Sequence, residues 1–461
     1  MTAPKRQLGL GITAAIVVAN MIGTGVFTST GHQAKSLGDP TTILLCWVIG
    51  GIIALAGAAC YAELGTLMPK AGGEYVYLRE AYHPALGFMS GWVSMTAGFS
   101  AAIATSALLF SKYLATIVPG IEDPTVQKAI ACVLIALIAC MHGFDTKIGG
   151  RVQEVFTILK VLLIVVFIIL GLASGNGDWG NFASQAGGVS TNLPTTAFAI
   201  SLMYVSFAYS GWNAAAYIAG EVEKPEKNLP RSLLLGTGAV MVLYVLLNVI
   251  YIYALPMKAL AGPTDGYSPI IEVGAATAAV LFGERGGHML TSLIALALIS
   301  AVSAMVMAGP RVYSAMAKDR ALPHQLAWHS KRGVPTVAVA AQAVLGILFV
   351  FAMPLEKLIR FAGFTLAIFA ALTVGALFIL RGRGLKGPYR TFGYPVTPLL
   401  FIATSIWIAY AQIKQNPMES LFVFGVLVAG FLAYKFVVPP PPPTELPPAP
   451  AELPAARVVD E

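Results

Sequence analysis

Two stretches of the chain place glycine and polar residues where an apolar helix would otherwise run unbroken. The first reads Ala19-Asn20-Met21-Ile22-Gly23-Thr24-Gly25-Val26-Phe27, and the second Tyr204-Val205-Ser206-Phe207-Ala208-Tyr209-Ser210-Gly211-Trp212-Asn213. A helix interrupted inside a bilayer exposes N–H groups at the start of one piece and carbonyls at the end of the other. The N–H end suits a carboxylate and the carbonyl end an ammonium. Together they fit the zwitterionic head of an amino acid. Either glycine cluster taken alone fits close helix packing equally well. Their placement favours binding: if two halves begin near 7 and 195, Gly23 and Gly211 each lie 16 residues in. A third candidate is Lys160, nine residues beyond Arg151 in an apolar run, so about 14 Å along a helix at roughly 1.5 Å per residue. A lysine near the bilayer middle is costly unless paired or neutral. Desolvation brings proton exchange near neutrality within its reach; the structural alternative is a charged tether on the carbonyls of the first break.

These residues need elements that hold them at membrane depth, and composition supplies them. Of 461 residues 57% are hydrophobic and 11% charged, whereas a soluble domain carries about 25% charge. That scarcity excludes a soluble enzyme, a nucleic-acid reader and a disordered scaffold, and leaves an all-α polytopic membrane protein. Runs of about 20 apolar residues predict twelve spans, near 8–35, 41–66, 84–112, 126–144, 151–172, 195–220, 231–255, 286–316, 335–353, 357–380, 394–413 and 419–437. The stretch at 268–283, interrupted by Pro269 and Glu272, reads as a surface or re-entrant piece. With the N-terminus cytoplasmic, twenty Lys and Arg fall inside and eight outside, leaving Lys160 over; that bias supports twelve spans with both ends cytoplasmic. Five spans per half is an odd number, so the halves 7–172 and 195–380 form an inverted repeat, a transporter pattern. Residues 394–437 then supply the last two helices, and the Pro-rich 439–461 a solvated tail. The N-terminus reads as a retained first helix. Cys46, Cys60, Cys132 and Cys140 lie in apolar runs without CxxC spacing and read as buried small hydrophobes, with neither a disulfide framework nor a metal site.

Four stretches point to a family: IGTGVF at 22–27, YAELGTLMPKAGGEYVYLREAYHP at 61–84, FAYSGW…GEVEKPEKNLPRS at 207–232, and GPRVYSAMAKDRALP at 309–323. In order, spacing and letters they resemble the amino acid–polyamine–organocation (APC) transporters, over about residues 7–440. The resemblance implies a LeuT-like fold: a 5+5 inverted repeat, two additional helices, and discontinuous helices one and six. It implies a substrate carboxylate on the amides of Gly23, Thr24 and Gly25. The amino group would meet carbonyls from Met21 or Ile22 together with Phe207, Ala208 and Ser210. Phe207 matches an aromatic that closes over substrate from outside, and Trp212 and Asn213 line the second break. Ser210 stands where many exchangers have Gly, and Lys224-Pro225 replaces a common Asn-Pro. Some prokaryotic members carry a lysine where Lys160 stands, near the sodium position of sodium-coupled relatives, which implies sodium-independent transport. Ser300 and Ser303, three apart on one face of span eight, are its expected hydroxyl neighbours. No half-cystine marks an ancillary-subunit tether, so a stand-alone transporter is expected, without cofactor or metal, in the bacterial inner membrane.

Spans one, three, six, eight and ten hold no midplane carboxylate for a cationic side chain. Glu63, Glu74 and Glu154 lie toward cytoplasmic span ends, where ion pairs are expected. No spare cation awaits an acidic side chain either, so a neutral amino acid is favoured, proton-coupled through Lys160, with obligate exchange as the alternative. Cationic amino acids or polyamines are disfavoured. A membrane enzyme or channel lacks support: the histidines fall at span ends or in loops, and no HExxH, phosphate loop or repeated filter is present.

Overall fold

The computed structural model describes residues 6, 8–70, 72–144, 146–183, 188–193, 195–262, 272–330 and 332–437. Among them regular structure is helical, apart from a single parallel bridge between Leu8 and Val222. Helices are what a bilayer demands of a spanning single chain, because every backbone group is then satisfied within its own segment. The expected first span is broken into α1 (Leu10–Met21) and α2 (Gly25–Leu37), bent by 41°. Next, α3 (Pro40–Leu67) is started by Pro40 and by Asp39, whose carboxylate accepts from the Thr42 amide at 2.8 Å. A short helix, α4 (Glu74–Ala81), then leads into α5 (Pro84–Ala115).

Further along run α6 (Pro124–Phe144), α7 (Thr146–Ala173), α8 (Thr196–Tyr209), the single turn α9 (Ala214–Tyr217) and α10 (Pro225–Ala254). The remaining elements are α11 (Val273–Lys318), α12 (Thr336–Ala352), α13 (Leu355–Gly382), α14 (Val396–Gln415) and α15 (Pro417–Val437). Nine helices among the described residues are long and apolar enough to cross a membrane, ten with the bent pair, while α8 and α12 are apolar but shorter. Gly283, at φ 68° and ψ −177°, breaks α11, so residues 273–282 form a separate piece before the longer helix. The remainder of the 268–283 stretch and the 439–461 tail lie outside the described residues.

Along α3 runs α10, which also packs on α1, while α8 lies against α2, α3 and α13. Within a largely aliphatic core the biggest fully buried side chains are aromatic, and most carry a hydroxyl: Trp47, Tyr61, Tyr77, Tyr113, Tyr209, Tyr244, Tyr251 and Tyr313. Outward faces carry Leu137, Ile158, Leu348 and Phe431 in the open, as lipid-facing helices do. Cys46 and Cys60 are buried as expected, but Cys132 is half-buried and Cys140 exposed on α6. A thiol behaves as a small apolar group, so lipid accepts it as readily as a core does. Histidines at span ends are engaged. His142 is buried with Nε2 2.7 Å from Ser303 Oγ, and His32 stacks on Tyr204 with ring centroids 4.8 Å apart.

Glu63 behaves as a buried ion-pair partner. Arg381 donates to both its oxygens, at 2.8 and 2.7 Å, and the Thr391 amide donates to Oε2 at 2.6 Å. The pair ties α3 to α13, and removing either side chain strands the other's charge. Glu63→Gln and Arg381→Met should each lower the apparent melting temperature of the detergent-solubilised protein, at a cost of about 3 kcal/mol. The double variant should lose less than both losses together. Strictly additive losses would contradict a pair acting as a unit.

Candidate functional site

The two helix breaks meet. A methyl added at Gly25 would stand 2.3 Å from the Ala208 Cα, and one at Gly211 would stand 2.6 Å from the Asn20 carbonyl oxygen. Gly211 also has φ +99°, a conformation side chains with a Cβ rarely adopt. The backbones therefore touch, and only glycine allows it. Less helix follows the second break directly: α8 stops at Tyr209, and the turn α9 and a 3₁₀ turn at Ala219–Glu221 come before α10.

A cavity of about 130 Å³ opens where the breaks meet. Met21, Gly23, Thr24 and Gly25 border it from the first break, and Phe207, Ala208, Ser210, Trp212 and Asn213 from the second. At the start of α2, Gly23, Thr24 and Gly25 border this space at the helix's positive end. Ile22 does not border the cavity. Much of the remaining wall is apolar, including Ile53, Phe99, Met305, Leu366 and Ile408.

Donors from elsewhere in the protein already serve the carbonyls freed at the first break. Lys160, 1% exposed, points its Nζ at the Ala19 oxygen, 2.9 Å away, and the Ile22 oxygen, 2.8 Å away. The Tyr244 hydroxyl lies 2.6 Å from the Met21 oxygen and 3.2 Å from the Ala208 oxygen, bridging the two breaks. Of the two expected carbonyls, the Ile22 oxygen takes Lys160 and the Met21 oxygen takes Tyr244, each with one lone pair to spare, and only Met21 borders the cavity. Neither of the expected hydroxyl neighbours bonds to Lys160. Ser303 pairs with His142, and Ser300 Oγ is buried without a hydrogen-bond partner. The reason is reach and acceptor strength: the long lysine stem brings its amine to backbone carbonyls that have lost their helical donors.

Three features of the site were not anticipated. Tyr244 sits in an ordinary apolar run and carried no signal. The π-helical stretch Ser94–Ala101 in α5 lines the cavity with Ser94, Gly98 and Phe99; such bulges are frequent at functional sites. Glu74, expected in an ion pair, instead borders the cavity and accepts from the Tyr61 hydroxyl at 2.5 Å and from Asn213 Nδ2 at 2.9 Å. The adjacent Gly72-Gly73 pair, φ 120° and 50°, was the available clue that the chain folds inward there. Among the described residues no group of three or more His, Cys, Asp or Glu is placed to hold a metal ion.

Known proteins with the same pattern are transporters. The family model described as "Amino acid permease" matches residues 8–443. The chain is 31% identical over 437 residues to the serine/threonine exchanger SteT of Bacillus subtilis (strain 168), covering 93% of this chain and 96% of that one. It is 28% identical over 447 residues to b(0,+)-type amino acid transporter 1 of Homo sapiens, covering 94% and 88%. It is 29% identical over 449 residues to large neutral amino acids transporter small subunit 2 of Mus musculus, covering 94% and 81%.

The two glycines of the first break should fail differently. Around Gly23 an added methyl meets only the Met21 oxygen, at 3.9 Å, so it projects into the cavity. Gly23→Ala should keep the melting temperature near wild type and weaken substrate binding by about tenfold, some 1.4 kcal/mol. Gly25→Ala, which forces the breaks apart, should lower melting temperature and uptake together. Equal effects of the two substitutions on stability would contradict this contact.

Proposed function

The chain belongs to the amino acid permease family, and from that premise we propose that it moves neutral amino acids by alternating access, without sodium, with a proton carried through Lys160. The observation that carries this reading is the Lys160 amine on the Ala19 and Ile22 carbonyls. Carbonyls of an unwound helix are what coordinates a sodium ion in broken-helix transporters; here an amine takes that role. An uncharged amine keeps two N–H groups and an ammonium has three, so both bonds survive loss of a proton. Among the described residues no acidic side chain pairs with Lys160, which leaves its charge free to change during the cycle.

The substrate carboxylate sits on the amides of Gly23, Thr24 and Gly25, at the positive end of α2. Its ammonium meets the Phe207 and Ala208 carbonyls and the open lone pair of Met21, beside Ser210. Phe207, Trp212 and the apolar wall receive a side chain without charge. The architecture is a LeuT-like inverted repeat of 7–172 and 195–380, followed by two helices at 394–437. Both termini are cytoplasmic, supported by the basic residues sorted by loop, and the membrane is a bacterial inner membrane, a reading that rests on the family likeness and the short loops. All four cysteines lie within helices, so none is offered in a loop to tether a second chain, and the chain works without an ancillary subunit. It is a transporter and not an enzyme.

A second reading has its own support, since the Bacillus subtilis relative is described as an exchanger. There Lys160 would stay charged and the return step would need a second amino acid. Uptake of radiolabelled amino acids into sodium-free proteoliposomes separates the two. The proposal expects accumulation driven by a pH gradient into vesicles empty of amino acid, and its loss in Lys160→Ala. Full gradient-driven accumulation by Lys160→Ala would contradict the coupling role, and uptake only into preloaded vesicles would favour exchange.

A further inference from the structure

Among the described residues Glu74 is the one Asp, Glu, His, Lys or Arg on the cavity wall, beside the phenols of Tyr209 and Tyr217. It is 3% exposed, and both its hydrogen bonds fall on the same oxygen, Oε1. One donor, Tyr61, belongs to α3; the other, Asn213, belongs to the second break. The loop before Glu74 is fastened to that same segment: the Gly72 amide donates to the Tyr217 carbonyl at 3.2 Å, and Gly73 lies so close to the Tyr217 ring that a methyl there would stand 2.4 Å from it. Asn213 also donates to the Tyr217 hydroxyl at 3.0 Å.

The titratable groups facing the carboxyl are tyrosines: Tyr61 from α3, Tyr77 from its own helix and Tyr217 from the second break. Ser90 of α5 stands beside it as well. The cation on its own helix, Arg79, is engaged with Glu80 and Asp319 instead. A carboxylate in such surroundings has no countercharge, and Oε2 takes no hydrogen bond from Tyr61 or Asn213.

We propose that Glu74 is a proton-binding site at the cytoplasmic end of the cavity, protonated while Tyr61 and Asn213 hold it and deprotonated when the 213–217 segment moves to open the path. The proton leaves Oε2 for water in that path, and the ionised carboxylate is then hydrated. Burial pushes the Glu74 carboxyl above the usual range, while the bonds from Tyr61 and Asn213 pull the other way. The proposal rests on the transport reading above but not on Lys160.

Two readouts on the full chain in sodium-free proteoliposomes test it. The infrared difference spectrum of wild type against Glu74→Gln should contain a protonated-carboxyl C=O band at neutral pH. Uptake by Glu74→Gln should vary by less than about twofold over a pH range in which wild type changes by about tenfold. Tyr61→Phe keeps the ring but removes a donor that favours the carboxylate, so its pH limb should move to higher pH. An absent band, an unchanged profile in Glu74→Gln, or an unmoved limb in Tyr61→Phe overturns the proposal. Wild-type vesicles that carry no amino acid would sink the transport reading instead, and the infrared band would still decide the proton site.

Discussion

Backbone carbonyls released in the middle of a bilayer must find donors, and that requirement organises this molecule. Water is absent there, and an unsatisfied carbonyl costs several kcal/mol. The break after Met21 frees the carbonyls of Ala19, Met21 and Ile22 in a short space. Lys160 from α7 and Tyr244 from α10 supply the donors. The broken helix is thereby held open toward the cavity without collapsing. The same bonds tie α1 to two helices far from it in sequence, so a change in either donor is felt at the cavity beside the break.

The second break completes the site by contact. Gly25 rests on Ala208 and Gly211 on Asn20, so neither break can shift while the other stays in place. Tyr244 reinforces this by lying within hydrogen-bond reach of one carbonyl from each. Leu8 pairs through its backbone with Glu221 and Glu223, which joins the approach to α1 to the exit from the second break. The two breaks are therefore coupled, and a change at either reaches the cavity between them.

Much of this was legible because membrane physics writes itself into composition. Apolar runs located the nine or ten helices that are long and apolar enough to cross a membrane among the described residues, and glycines at matched depth located both breaks. Lys160 stood out because a lone charge at that depth requires a reason. What stayed hidden depends on side-chain reach and helix rotation. Tyr244 looks like any other aromatic in an apolar run. Ser300 and Ser303 do share a face, but helix rotation turned Ser303 to His142 and left the lysine to the carbonyls. Glu74 lies near the end of a span by sequence, and two glycines in left-handed conformations turn it back into the cavity wall. The π-helical stretch in α5 has no residue pattern that distinguishes it from ordinary helix.

The central claim is that an amino acid entering at the breaks brings a proton with it. Trapping a pH-sensitive dye inside sodium-free proteoliposomes and adding a neutral amino acid outside tests it most directly. The account predicts internal acidification that follows the amino acid's entry and requires no amino acid inside. Entry of the amino acid without any internal acidification would contradict it.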